Sequence, residues 1–297
     1  MSTPTIRILV SRHSAFYSPL IAALAAQFLD RQGAQASYGV LQPGQRSHSL
    51  IGSGEADIIQ SAVSSNWRPM EAGQRDLPVH FAQINCRDGF FLIGRRPSPA
   101  FSWTDLEGRQ LLADHAFQPL AMLKYAARLN RAAWQSIHAI DAGSPDQMEA
   151  AFRAGRGDFV HLQGPAAQQL ELDGIGQIVA VVGAAMPPVA FSSLTASRAF
   201  LETPLAGAFL RAYRQARQWV CQTPAHQVAA AEAAFFPGVP QPALTAAIAR
   251  YQQLGCWEGD LSISRDLYAQ ALDVFLDCQA ISRRWPYEDV VVPPPHG

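Results

Sequence analysis

The stretch TIRILVSRHSAFYSPLIAALAAQFLDRQ, Thr5–Gln32, decides the fold. Ile6, Ile8, Leu9 and Val10 make a short apolar run rich in β-branched side chains, the composition of a strand buried in a parallel sheet. Ser11-Arg12-His13-Ser14 ends that run. Apolar residues return at Phe16, Leu20, Leu24 and Phe28, the spacing of one helix face, and Ser14 is placed to cap the first turn. Strand, polar loop and helix open an α/β sheet. In such sheets the carboxyl end of the strand and the N-terminus of the following helix face the ligand crevice, and free N–H groups there favour an anion. The first loop is therefore the first candidate site, although an ordinary βα turn with a capping serine fits the same residues.

The grammar continues outward. Ala36–Val40 reads as a second strand, Ser47–Ser53 as a short helix stopped by glycines, and Glu55–Ile59 as a third strand entered through a glycine-acid turn. The loop beyond it, Gln60–Trp67, is dense in hydroxyls and faces the same crevice. Val79–Ile84 is a further strand, and Gly89–Ile93 leaves the first half through Arg87-Asp88, with Pro97 and Pro99 punctuating the link. A second unit then repeats the plan: strand Gln110–Ala113, loop Asp114–Gln118, helix Pro119–Asn130, strand Ser136–Ile140, and a helix started by Ser144-Pro145. Gly52–Ile59 and Arg153–Val160 match: each leaves a helix by glycine, turns, and enters a buried strand through an aspartate. Strand Ile178–Val182 and the return segment Val189–Thr195 follow, and nearly everything after Ser197 is helical. The pattern predicts two discontinuous α/β lobes, residues 1–92 plus 193–297 and residues 93–192, joined by two crossover strands. Such interdomain clefts commonly hold a small molecule and close by hinge motion.

Bulk properties narrow the classes. At 297 residues, 48% hydrophobic and 16% charged, the chain has material for about two lobes. A net charge of −1 points to neither nucleic acid nor an anionic membrane surface. Lys124 is the only lysine, so forked arginine donors dominate the basic set. Cys86, Cys221, Cys256 and Cys278 form no CxxC pair and no zinc spacing, and are expected to be small buried apolar residues. No pattern calls for a metal or cofactor. No apolar run reaches the roughly 18 residues of a membrane span, and the N-terminus lacks a basic region followed by an apolar core. The expected location is the periplasm if an export signal has been removed, and otherwise the cytoplasm.

Several motifs, in order along nearly the whole chain, resemble the periplasmic-binding-protein type II superfamily. The resemblance is nearest to the nitrate, sulfonate and taurine receptors of ABC transporters and the thiamine-pyrimidine-precursor proteins. The motifs are Gly54–Ile59, Asp105-Leu106-Glu107-Gly108-Arg109, Gly143–Gln147 with Gly155–Asp158, Ala199–Pro204, Thr223-Pro224-Ala225 and Trp285-Pro286-Tyr287. The resemblance implies a bilobal fold whose ligand is held by loops from both lobes. By position these loops carry His13, Ser14, Phe16 and Tyr17; Ser61, Ser64, Ser65 and Trp67; Arg87; and, on lobe two, His115, Phe117, Gln118, Gln163 and Phe191. Arg87 would pair with an acidic head while Tyr17 and Trp67 wall an aromatic body, but a local Arg87–Asp88 ion pair and core packing of the aromatics fit equally. The implied function is a solute-binding protein for a sulfonate, carboxylate or pyrimidine-type ligand, partnered by an ABC permease.

Two families of this resemblance carry out chemistry. The sulfinate desulfinases place a cysteine nucleophile in the first βα loop, where this chain has Ser11–Ser14. The pyrimidine synthases need clustered cysteines, which are absent here. A cytoplasmic desulfinase- or decarboxylase-like enzyme remains the alternative, with His13 and His115 as an acid/base pair across the cleft.

Overall fold

The computed structural model describes residues 4–98 and 100–295, so Pro99 of the expected link lies outside the described residues. The strands are β1 (Thr5–Val10), β2 (Gln35–Val40), β3 (Ile58–Ser61), β4 (Val79–Asn85), β5 (Phe90–Gly94), β6 (Gln110–Leu112), β7 (His138–Ile140), β8 (Phe159–Gln163), β9 (Gln177–Val181) and β10 (Ser192–Ala196). The helices are α1 (Ser18–Ala25), α2 (Ser47–Gly52), α3 (Ser64–Glu71), α4 (Phe117–Leu129), α5 (Pro145–Arg153), α6 (Ala166–Leu172), α7 (Arg198–Leu201), α8 (Pro204–Gln222), α9 (Ala225–Glu232), α10 (Gln241–Leu254), α11 (Arg265–Asp277) and α12 (Tyr287–Val290).

Two five-stranded sheets share one plan, with orders β2-β1-β3-β10-β4 and β7-β6-β8-β5-β9. In the first, β1 pairs parallel with β2 and β3, while β10 runs antiparallel to β3 and β4. In the second, β6 pairs parallel with β7 and β8, while β5 runs antiparallel to β8 and β9. The two crossover strands β5 and β10 thus hold equivalent places, fourth in each order. The internal match also has a structural meaning. Asp57 N donates to Arg7 O (2.9 Å) and Arg7 N donates to Asp57 Oδ2 (2.8 Å). Asp158 N donates to Gln110 O (2.8 Å) and Gln110 N donates to Asp158 Oδ2 (3.0 Å). In both lobes the aspartate latches the third strand of the plan onto the first. The turns before them use Gly54 at φ +74° and Gly157 at φ +73°, a conformation that costs glycine nothing.

Three expectations change. The loop expected over Gln60–Trp67 is half helix, because α3 begins at Ser64. The first helix is shorter than its apolar spacing implies: Ala15–Tyr17 is a 3-10 turn, α1 ends at Ala25, and Gln27 at φ +59° turns the chain. Phe28 remains buried because it packs on Trp219, ring centroids 6.0 Å apart. The cysteines are not uniformly buried: Cys256 is, Cys86 and Cys278 are half-buried, and Cys221 is exposed, all four as free thiols.

One apolar core runs through both lobes, with Phe16, Phe90, Phe91, Phe191, Tyr251 and Trp257 at the joint. Tyr251 of α10 fastens it there: its hydroxyl accepts Gly164 N–H (2.7 Å) and donates to Gly89 O (3.1 Å). Among the described residues, no helix is long and apolar enough to cross a membrane.

Candidate functional site

The segments after the carboxyl ends of β1, β3, β6 and β8 meet at the seam between the lobes through Arg12–Asp114, Ser14–Gly164 and Ser64–Gln118, the side of an α/β sheet on which ligand sites lie. The loop after β1 brings Arg12, and the loop after β6 brings Asp114. Arg12 Nη1 and Asp114 Oδ2 form an ion pair of 2.6 Å that joins the lobes. On β8, His161 and Gln163 are two residues apart and so share a face. Phe90, opposite Gln163 in the β5–β8 register, stacks on His161 at 4.2 Å, and the Arg12 guanidinium stands 5.3 Å from the Phe90 ring centre. Asp88, in the turn between β4 and β5, accepts Phe90 N–H on Oδ1 (2.7 Å). Tyr17 is buried and faces Gln163, Ser11, Ser192 and Arg12.

Five polar atoms of this cluster are buried without a hydrogen-bond partner: Asp88 Oδ2, His161 Nδ1 and Nε2, and Gln163 Nε2 and Oε1. Each unpaired buried group costs about 1–3 kcal/mol, so five of them at one seam make an unfavourable arrangement that a further partner would relieve. Burial pushes the Asp88 carboxyl up to about 8; the Phe90 N–H and Arg12 oppose this and Asp114 adds to it. Burial also lowers His161 to about 3, against the pull of Asp114, so the ring is neutral. Burial acts to raise Asp114, but Arg12 and the Ala116 N–H hold it below the usual carboxylate range. The site therefore contains one internally neutralised ion pair, one protonated carboxyl, a neutral imidazole, an amide and a phenol.

The structure distributes the sequence-predicted residues around this cluster. Tyr17 and Gln163 are members of it. Ser14 and Gln118 form cross-lobe ties: Ser14 Oγ donates to Gly164 O (2.7 Å) while accepting Phe16 N–H (3.1 Å), and Gln118 accepts from Ser64 Oγ (2.8 Å) and donates to Phe191 O. Phe16 and Phe191 pack edge-on at 5.4 Å in the joint beneath the cluster. Ser61 is the last, buried residue of β3. His13 spends both ring nitrogens, on Tyr38 Oη (2.8 Å) and Phe235 O (2.7 Å), and stacks on Phe236 beside an outer groove of about 480 Å³. His115 turns Nδ1 to Ala113 O (2.8 Å). Arg87 donates to Gly183 O (3.3 Å) at the crossover; no Arg87–Asp88 ion pair is present among the described residues. Ser65 is 3.4 Å from His80 Nε2 and lines a separate pocket of about 300 Å³ with Arg46 and His48. Trp67 is fully buried and donates to Tyr268 Oη (3.1 Å). Phe117 packs on Phe275 at 4.8 Å with Arg68 3.8 Å above its ring.

Sequence reasoning passed over Arg12, Asp88, Asp114 and His161 as site residues. His161 carried a usable signal: a lone imidazole inside the apolar strand FVHLQ, two residues from Gln163. Arg12 and Asp114 occupy corresponding places, each just past the first strand of its lobe, and the internal repeat could have paired them. Among the described residues, no group of His, Cys, Asp and Glu is placed to hold a metal ion.

No family model matches the chain. It is 23% identical to a Bacillus subtilis (strain 168) protein named "Putative binding protein YtlA" over 290 residues, 96% of this chain and 87% of the relative. Among solved structures it resembles the ligand-binding component of an ABC-type import system from Staphylococcus aureus, determined with zinc bound (TM-score 0.78, 15% identity, 99% of this chain and 98% of that one). It also resembles the periplasmic aliphatic sulphonate binding protein SsuA from Escherichia coli (TM-score 0.74, 18% identity, 99% and 93%). The desulfurization enzyme DSZB shares the architecture too (TM-score 0.66, 15% identity, 98% and 96%). These likenesses extend over whole chains and coincide with the strand orders above: the chain has the type II periplasmic-binding-protein fold, two discontinuous α/β lobes joined by two crossover strands.

Proposed function

We propose that this chain is a solute-binding protein that captures a small organic acid or heteroaromatic ligand at the seam between its lobes and delivers it to an ABC importer, acting in the periplasm. The observation that carries the reading is the group of five unpartnered buried polar atoms on Asp88, His161 and Gln163, beside Arg12 and Tyr17. As working boundaries, residues 1–92 plus 193–297 form the first lobe and 93–192 the second, each line falling inside a crossover strand. Ligand entry requires the lobes to part, breaking the ties Arg12–Asp114, Ser14–Gly164 and Ser64–Gln118, and capture lets them re-form.

The enzyme alternative finds less support. The first loop holds no cysteine, and the nearby Cys86 is turned to the carbonyls of Gly255 and Cys256, with burial raising its pKa away from a reactive thiolate. His13 and His115 have separate partners, so the pair needed for acid/base work is not assembled. A thermal-shift screen of sulfonates, carboxylates and nitrogen heterocycles tests the reading, with calorimetry on the hits. Saturable binding lost in Tyr17→Phe/His161→Leu supports it. Hits indifferent to those changes, or sustained turnover of a hit, refute it.

A further inference from the structure

The charges at the seam say which head group the ligand brings, an inference that rests on the binding reading above and takes its heteroaromatic branch over its organic-acid one. Arg12 is the cation closest to the cluster, and it is already matched: Asp114 takes its Nη1 at 2.6 Å. An anionic head would have to draw Arg12 from that partner and place a second negative charge beside Asp114. Asp88 is in the opposite position. It is fully buried, its Oδ1 is used by Phe90 N–H, and its Oδ2 has no partner. The charged and titratable groups facing Asp88 are Arg12 from the loop after β1, Asp114 from the loop after β6, and Cys256 from the turn after α10. His161 on β8 sits against Asp114, Arg12 and His115, and the neighbouring Arg87 gives its guanidinium to Gly183 O. No unmatched cation stands opposite Asp88 Oδ2 among the described residues.

We propose that the site accepts a ligand with an amidinium or guanidinium head set against Asp88 Oδ2, and that capture displaces the Asp88 proton to solvent. The balance is simple. The protonated carboxyl and the cationic head become a carboxylate–cation pair, and one proton leaves to the buffer, with no covalent bond made or broken in the ligand. Burial keeps the empty carboxyl protonated near neutrality. A fixed positive charge within about 4–6 Å favours the ionised form by about 1–3 pK units, enough to carry Asp88 below neutral pH. His161 and Gln163 then supply uncharged donors and acceptors to the rest of the ligand.

Calorimetry on the intact protein at pH 7, in phosphate and in Tris, tests this with three probes of one shape: benzamidine, benzoate and benzenesulfonate. Benzamidine is expected to bind, with a buffer-dependent enthalpy that reports nearly one proton released and an affinity that rises with pH up to about 8. Asp88→Asn keeps an acceptor for Phe90 N–H; it is expected to weaken benzamidine by at least about tenfold, one pK unit's worth, and to erase the buffer dependence. The pH profile of the unmodified protein carries the same test without a variant. Preferential binding of benzenesulfonate or benzoate, abolished by Arg12→Gln, would overturn the cationic head while leaving a binding protein. Binding of benzamidine with no proton exchanged would overturn the displacement. Silence from these probes, with hits from neutral heterocycles in the wider screen, would overturn the head assignment alone; silence from the whole screen would remove the binding reading as well.

Discussion

Replacing Gln163 by leucine should make the protein more stable and less able to bind. Gln163 is buried at the end of β8, and neither Nε2 nor Oε1 has a hydrogen-bond partner. An unpaired buried polar group costs about 1–3 kcal/mol, whereas an apolar side chain of similar size incurs no such penalty. The substitution therefore raises the unfolding free energy by about 1–3 kcal/mol, discounted for the small shape change between an amide and a branched methyl pair. For chains of this size class each kcal/mol moves the melting temperature by roughly 2–4 °C, so a rise of several degrees is expected in a thermal melt, with a matching shift of the urea midpoint at unchanged slope. Ligand affinity should fall by at least about tenfold, or 1.4 kcal/mol, because the ligand groups that Gln163 meets lose their partner. Such opposite signs separate a binding residue from a structural one: a glutamine that holds the fold together would destabilise on removal. A Gln163→Leu protein that melts lower, or that binds every hit as well as the parent, would refute the argument that these unpartnered atoms are reserved for a ligand.

Three further perturbations follow from the geometry. Arg12→Gln removes one partner of the pair that joins the lobes; its cost falls toward the lower end of about 3–5 kcal/mol, since the Arg12 side chain keeps 21% of its surface in water. The same variant should enlarge the radius of gyration in solution scattering, and an unchanged radius would show that the other ties suffice. At Gly183 an added Cβ would lie 2.1 Å from the Asp88 carbonyl oxygen, so Gly183→Ala should exceed the usual overpacking cost of about 1–3 kcal/mol; a parental urea midpoint would contradict it. For pH, burial raises folded Asp88 to about 8 while the unfolded carboxyl titrates at about 3.9, so between those values the folded chain holds a proton that the unfolded chain has lost. Its contribution to stability is full below about pH 4 and is lost as pH rises toward 8, at no more than about 1.4 kcal/mol per pH unit. Asp88→Asn should therefore be more stable than the parent at pH 8 relative to pH 5, and parallel stability curves would disprove the shift.

Local signals were readable in the chain, and long-range ones were not. The strand-loop-helix grammar of Thr5–Gln32 is built from neighbours, and so is the helix start at Ser144-Pro145, which the structure closes as a capping box with Ser144 N–H donating to Gln147 Oε1 at 2.8 Å. The glycine-aspartate repeat is visible as a local pattern, but its cause is not: the aspartate latches onto a strand 50 residues away in one lobe and 48 in the other. Which side chain of a loop turns inward is decided elsewhere. His13 and Arg12 stand side by side in the first loop, and only the fold separates them: Tyr38 and the distant carbonyl of Phe235 take both ring nitrogens of His13. A wall of the site and core packing both fit Trp67 in the sequence; α11 makes it core through Tyr268 and Phe275. In the sequence Asp88 offers only Arg87 as a neighbouring partner; nothing nearby announces that its environment comes from the loops after β1 and β6.

The placement of β5 and β10 sets an order of assembly as the chain emerges from the ribosome. All five strands of the second sheet, β5 to β9, lie in one uninterrupted run, so that half can close its hydrogen-bond ladder as soon as Val181 has been made. The first sheet is built from β1 to β4 and must hold an open slot between β3 and β4 until Ser192–Ala196 arrives. Its margin is sealed later still, when Val291 bridges to His80 and Val292 N–H reaches the His80 carbonyl. The half begun first is therefore finished last, and during translation its unfilled slot is the surface most in need of a chaperone.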